Sequence, residues 1–142
     1  MCIRDRRYAY QLIRLAHYAN DYQGVLDLFE FLEPKIDDQE SIINYWILGH
    51  KAGALNALGQ NVKAAYLYSV IFQNTPSKRE TAYRSFNIKT DEEWKACLLL
   101  CENNMERATL YAIRANADQS KAAEEMEQIY ELDPENLSLI HI

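Results

Sequence analysis

The sequence predicts an all-α protein, a right-handed superhelix of about four antiparallel helical hairpins. Three observations support this prediction. Apolar residues recur at the helical period along most of the chain, turn residues and prolines separate the periodic segments, and no segment shows the sustained alternation of a strand. The clearest example is the stretch 46–76, in which two periodic segments flank a turn at Gly59 and Pro76 follows the second.

The first predicted hairpin comprises helices over residues 7–20 and 22–33. Asp21 precedes the second helix, where a carboxylate can accept a hydrogen bond from a free backbone N–H group. Pro34 ends that helix, because a proline disfavours the helical conformation in the residue before it. The polar residues 35–39 are predicted to form a loop.

The second predicted hairpin contains a helix that begins after Ser41 or the acidic pair 37–38, and a helix over residues 62–73. Gly49 and Gly53 lie inside the first of these helices. A glycine in a helix interior costs about 1 kcal/mol relative to alanine. We therefore expect another part of the chain to approach closely at both positions.

The remaining residues predict two further helix pairs. A helix over 77–86 has Ser77 as its predicted N-cap, and a helix from Thr90 to about residue 102 begins with the capping-box pattern of Thr90 and Glu93. The last pair spans 105–116 and 120–132 and is closed by Asp133 and Pro134.

Spacing between small residues, aromatic residues and prolines indicates a repeat. Gly59, Ala64, Tyr68 and Pro76 define a pattern, and Ala117, Ala122, Met126 and Pro134 share its offsets. The first hairpin matches it in part, with Asn20, Val25 and Phe29 followed by an early Pro34, whereas residues 77–103 lack the marker residues. This pattern resembles the tetratricopeptide repeat. The resemblance implies a solenoid whose concave face is formed by the first helix of each hairpin and binds peptides or proteins.

Under that resemblance, the exposed positions of the concave face are basic and aromatic although the chain is acidic. They are Arg7, Tyr10, Arg14, His17, Trp46, Asn56, Arg107, Tyr111 and Arg114. Arginine and tyrosine suit the recognition of acidic or extended peptides. The alternative is that these side chains pair with local acids or pack between hairpins.

The cysteines, histidines and acidic clusters of the sequence are predicted to have structural roles rather than catalytic or metal-binding ones. Cys97 and Cys101 lie one helical turn apart without further ligands nearby, so we expect buried thiols and no metal. His17 and His50 are isolated in the sequence and are expected to be hydrogen-bonded histidines of the core or the groove. The acidic clusters 27–40 and 124–135 are expected to be solvated. The sequence predicts neither a cofactor nor a catalytic group.

The two ends of the chain look foreign to the domain. Residues 1–5 can be encoded by ATG-TGT-ATA-AGA-GAC, and residues 137–142 can be encoded by DNA that contains its reverse complement. This pairing resembles the adapter of a sequencing library. We therefore expect residues 1–6 and 137–142 to be translated adapter, and residues 7–136 to be a repeat domain from a longer protein.

Taken together, these patterns predict a non-catalytic protein–protein interaction scaffold that binds peptide or protein segments. An alternative is a helical accessory domain of a larger multidomain enzyme. The net charge of -6 disfavours nucleic acid as a partner, because an acidic chain repels phosphates. No run is long enough to span a bilayer, so we expect a soluble region, cytoplasmic or periplasmic, and the sequence leaves the compartment unknown.

Overall fold

A computed structural model of the protein describes residues 3–35 and 41–132, and all regular structure in these two ranges is helical. The α-helices in these ranges are α1 (Ile3–Tyr18), α2 (Tyr22–Leu32), α3 (Ile42–Ala57), α4 (Asn61–Asn74), α5 (Arg79–Ser85), α6 (Asp91–Leu100), α7 (Asn104–Ala117) and α8 (Ala122–Leu132). Three short 3-10 turns cover Glu33–Lys35, Pro76–Lys78 and Gln119–Lys121. The prediction of an all-α protein is confirmed for these residues.

Local chemistry explains the first two hairpins. Asp21 caps α2 by accepting a hydrogen bond from the backbone N–H of Gly24 at 3.0 Å. Ser41 caps α3 by accepting one from the backbone N–H of Ile43 at 3.3 Å. Both caps were predicted. The tight turn between α3 and α4 places Gly59 at a φ of 82°, a conformation that glycine adopts without steric cost.

Helix α4 is the centre of the molecule. It packs against α3, α5, α6 and α7, and its small residues Ala64 and Ala65 are almost completely buried. Its larger side chains Tyr68, Ile71 and Phe72 extend the main apolar core towards α5 and α6. A second core joins α1, α2 and α3. Ala64 and Tyr68, two residues of the predicted repeat pattern, are thus buried in this core.

The region after α4 departs from the predicted regular hairpins. Helices α5 and α6 each pack against α4, and their contact with each other is minor. Ser77 is not an N-cap: it lies in a 3-10 turn, and the cap position of α5 is taken by Lys78 without a side-chain hydrogen bond. The predicted cap at Thr90 is confirmed, because its hydroxyl accepts from the backbone N–H of Glu93 at 3.2 Å.

The described residues include the start of the predicted domain but not its end. Helix α1 begins at Ile3, four residues before the predicted start, and Arg6 is buried. The predicted stop at Asp133 and Pro134, the end segment 137–142 and the loop residues 36–39 lie outside the described residues.

Over the residues with described positions, no helix combines the length and the apolar character needed to cross a membrane.

Candidate functional site

A half-open pocket of about 360 Å³ lies where α1, α3, α4, α5 and the 3-10 turn before α5 meet. Aromatic and imidazole rings form most of its wall. Its lining residues are Tyr10, His17, Tyr18, Tyr45, Trp46, Gly49, His50, Tyr68, Ile71, Lys78, Thr81, Ala82 and Ser85. We refer to this set as the histidine pocket.

Helical periodicity brings the wall of the histidine pocket together. Tyr10 and His17 are seven residues apart on α1 and therefore share one face of that helix. Trp46 and His50 are four residues apart on α3 and occupy successive turns of one face. Because α1 packs against α3, the two faces meet along one side of the pocket.

Gly49 and Gly53, where we predicted that another part of the chain approaches closely, differ in their surroundings. A Cβ atom at Gly53 would lie 2.8 Å from Cε1 and 3.2 Å from Nε2 of His17, so only glycine leaves room for the imidazole ring as it is placed. A Cβ atom at Gly49 would meet Ile71 Cδ1 at an ordinary 3.8 Å. The prediction is confirmed for Gly53 and wrong for Gly49, where the absent side chain contributes open space to the pocket.

His17 and His50 are hydrogen-bonded to each other, with 2.7 Å between their Nδ1 atoms. Their rings meet edge to face, at 84° and 4.9 Å between centroids. The prediction of hydrogen-bonded histidines is confirmed, whereas the view of them as isolated is wrong. They are 33 residues apart in sequence, and only the packing of α1 on α3 joins them.

Both imidazoles are held neutral. Burial, together with the smaller effects of His17, Arg14 and Lys78 in that order, lowers the pKa of His50 to about 4. Burial also lowers the pKa of His17. At neutral pH one ring therefore donates its Nδ1–H to the bare Nδ1 of the other, and the accepting ring carries its proton on Nε2.

Aromatic rings and two cations surround the histidine pair. The Tyr10 ring lies 5.6 Å from the rings of both Trp46 and His50. The Lys78 ammonium lies 5.9 Å from the centre of the Trp46 ring, and the Arg14 guanidinium lies 5.2 Å from that of Tyr18. Among the pocket-lining residues that the structure describes, none is an Asp or a Glu.

Only part of the predicted concave face belongs to the histidine pocket. Tyr10, His17 and Trp46 line it, and Arg14 lies over one of its rings. Asn56 does not line it: its Nδ2 donates to the carbonyl oxygen of Ser85 at 3.1 Å and so joins α3 to the end of α5. Arg7 lines a separate surface depression on α1.

Arg114 contacts acids at the junction of α6, α7 and α8. Its guanidinium lies 2.6 Å from Asp91 Oδ1 and 3.3 Å from Glu125 Oε1, and Lys121 also contacts Asp91 at 3.0 Å. Glu125 is buried, so the prediction of a wholly solvated acidic cluster over 124–135 is wrong at this residue. Burial raises the pKa of Glu125, and the Arg114 charge partly offsets this effect.

The other two predicted residues of the last hairpin also have internal contacts. Arg107 donates to Asn104 Oδ1 at 2.9 Å and to the Cys101 carbonyl at 3.4 Å. Tyr111 packs against the small core between α7 and α8 that contains Ile129. For these residues, the alternative of local pairing and packing describes what the structure contains.

Cys97 and Cys101 are buried thiols, as predicted. Burial raises the pKa of Cys97 to about 12 and that of Cys101 to about 11, so neither is a reactive thiolate at neutral pH. Within ranges 3–35 and 41–132, no group of three or more metal-ligating side chains is close enough together to hold a metal ion.

Sequence reasoning missed several pocket residues, notably Tyr18, Tyr68 and Lys78. Tyr18 follows Tyr10 by eight residues and could have been found from helical spacing. Tyr68 was identified in the sequence only as the aromatic residue of the repeat pattern. Lys78 lies in a 3-10 turn within the region that lacks the repeat markers, so no sequence signal assigned it to the groove.

No family model, curated protein or solved structure matches the chain.

Proposed function

We propose that this chain is a non-catalytic interaction module that binds an extended segment of a partner protein across α1, α3 and α5. The observation that supports this proposal is the histidine pocket, in which aromatic rings, hydrogen-bonding groups and cations surround one opening of about 360 Å³. Tyrosine, tryptophan and arginine are the residues that most often dominate binding energy at protein interfaces.

The position of the pocket supports a groove rather than a closed small-molecule site. It is lined by α1 and α3, the first helices of the first two hairpins, by α5, which follows them, and by Tyr68 and Ile71 of α4. In a tetratricopeptide-like superhelix the first helix of each hairpin lies on the concave face. We propose that the chain is such a superhelix, with an irregular third unit at α5 and α6.

The chemistry of the pocket favours binding over catalysis. In both imidazoles Nδ1 is engaged with the other ring, whereas a catalytic base is usually oriented by a third group towards a nucleophile. The low pKa of His50 further weakens it as a base at neutral pH. Hydrogen bonding to a partner backbone or side chain remains available to Nε2 of His50, whereas Nε2 of His17 lies against Gly53 of α3.

The proposal can be tested by selecting random displayed peptides on the immobilised protein. A Gly49→Leu variant fills the pocket from within, and the change also favours helix, because leucine is a better helix former than glycine. We expect peptides that bind the wild type and lose binding to Gly49→Leu.

Gly49→Ala is the matched control, because its single methyl group makes an ordinary contact and leaves most of the pocket open. It should retain the selected peptides. A selection in which no peptide distinguishes the wild type from a folded Gly49→Leu protein would contradict the proposed function.

A further inference from the structure

We propose that the partner segment inserts an acidic side chain, Asp or Glu, into the histidine pocket, and that the His17–His50 pair takes up one proton from solvent on binding. This inference rests on the proposed function and adds the ligand chemistry and the pH response of the same site.

The charges around the pocket favour an anion. Lys78 and Arg14 bring two cations to it, each above an aromatic ring, and the described lining residues include no carboxylate. The chain as a whole carries a net charge of -6, so this pocket is a local exception to the acidic surface. A partner carboxylate would complement these cations electrostatically.

The hydrogen bond between the histidines allows one additional proton and no more. In the neutral pair one Nδ1–H donates to a bare Nδ1. If a proton is added to an outer Nε2, the charged ring still donates to the neutral one, and the 2.7 Å contact survives. A second proton would place N–H groups on both facing Nδ1 atoms and break the hydrogen bond.

Binding of a carboxylate is coupled to this proton. Burial and the charges of Arg14 and Lys78 keep the pKa of His50 at about 4 in the free protein. A bound anion offsets the two cations and raises that pKa. Between the ordinary histidine pKa of 6.5 and about 4, the complex therefore binds more protons than its separate components, and affinity rises as the pH falls.

Other titratable groups around the pair come from several elements and do not replace it as the proton acceptor. Arg14 and Lys78 remain cationic, and the remaining groups are the phenols Tyr10 and Tyr18 on α1, Tyr22 on α2, Tyr45 on α3 and Tyr68 on α4. A phenol has an ordinary pKa near ~10 and stays neutral throughout this pH range.

The test uses peptides selected on the wild-type protein and synthesised in matched pairs, with each Glu or Asp replaced by Gln or Asn. We expect the acidic peptide of each pair to bind roughly tenfold more tightly, as for loss of one close charge pair. Lys78→Gln should reduce that preference. Lys89→Gln, which makes the same charge change at an exposed position outside the pocket, should leave it unchanged.

The proton uptake is tested by measuring the affinity for the acidic peptide as the pH is lowered from above 6.5, and by calorimetry of binding in buffers of different ionisation enthalpy. The wild type should bind the acidic peptide more tightly at lower pH with net proton uptake. His50→Gln should bind it more weakly and without this pH dependence. An unchanged pH dependence in His50→Gln would overturn the proton uptake.

Failure of the inference and failure of the proposed function give different results. Selected peptides that bind equally well with and without their carboxylates would overturn the inference and leave the groove as a peptide site. If no selected peptide requires an open pocket, both the inference and the proposed function are overturned.

Discussion

Arginine side chains lie beside the histidine pocket and in the last hairpin, but their contacts differ between the two regions. Arg114 lies against Asp91 and the buried Glu125 and closes a network between α6, α7 and α8. Arg14 lies over the exposed ring of Tyr18 beside a pocket whose described lining has no carboxylate. Arginines at comparable predicted positions thus hold the fold together in one region and are exposed beside an open pocket in the other.

The difference shows that a predicted position on the concave face does not determine which contacts an arginine makes. An arginine contributes to recognition only when its charge is not already matched by an acid of the same chain. The matching acids here come from other elements: Asp91 is the first residue of α6, and Glu125 lies in α8. Substitutions that affect one region and spare the other therefore test the comparison.

The largest effect is expected from Arg114→Met, which leaves the buried carboxylate of Glu125 without its cation. Removing one partner of a buried ion pair costs about 3 kcal/mol or more. We expect the free energy of unfolding, measured with urea, to fall by about 3 kcal/mol. The matched Arg14→Met variant should lose almost nothing, because Arg14 is exposed.

The double variant Arg114→Met/Glu125→Leu is the control for this interpretation. It removes the buried carboxylate of Glu125 together with the Arg114 guanidinium, so most of the lost stability should return. Equal losses in Arg114→Met and Arg14→Met would show that the two regions do not differ in the way proposed.

A smaller effect is expected from the two glycines of α3. Gly49→Ala should stabilise the protein by about 1 kcal/mol, because alanine favours helix and its Cβ meets only an ordinary contact. Gly53→Ala gains the same helical preference, but its Cβ pushes against His17, and overpacking costs about 1–3 kcal/mol. Gly53→Ala should therefore be the less stable variant by about 2 kcal/mol.

Imidazole nitrogen chemical shifts distinguish the cause of that difference. Gly53→Ala should alter the shifts of His17 and His50 as their hydrogen bond is displaced, whereas Gly49→Ala should preserve them. Identical stabilities and identical shifts in the two variants would refute the close packing of His17 on Gly53.

Local features of the fold could be predicted from the sequence because they depend on neighbouring residues. The caps at Asp21, Ser41 and Thr90 follow from side chains that reach N–H groups within one turn. The turn at Gly59 follows from its backbone freedom. The prediction of Ser77 as an N-cap was wrong because Pro76–Lys78 form a 3-10 turn before α5 begins.

The candidate site could be predicted only in part because it depends on distant residues. The resemblance to the tetratricopeptide repeat assigned Tyr10 and His17 to one face, but nothing local indicates that His50 meets His17. The ion pairs of Arg114 likewise join α7 to α6 and α8. Such pairings depend on how the helices pack, and periodicity within one helix contains no information about them.

The smallest expected effect is the pH dependence of stability that His50 contributes. Burial, His17, Arg14 and Lys78 lower its pKa in the folded protein to about 4, below the ordinary 6.5 of the unfolded chain. Above pH 6.5 both states are neutral at this residue. Between 6.5 and about 4 the unfolded chain binds more protons, so stability falls as the pH falls, and the loss levels off below 4. Because the ring is partly exposed, we expect a loss of about 1 kcal/mol. Urea unfolding of wild type and His50→Gln across this range measures the contribution of the coupled His17–His50 pair, since the titrating groups outside the pair are common to both. Parallel curves would show that the pocket does not disfavour a charged histidine, and would remove the electrostatic contrast with the paired Arg114 region.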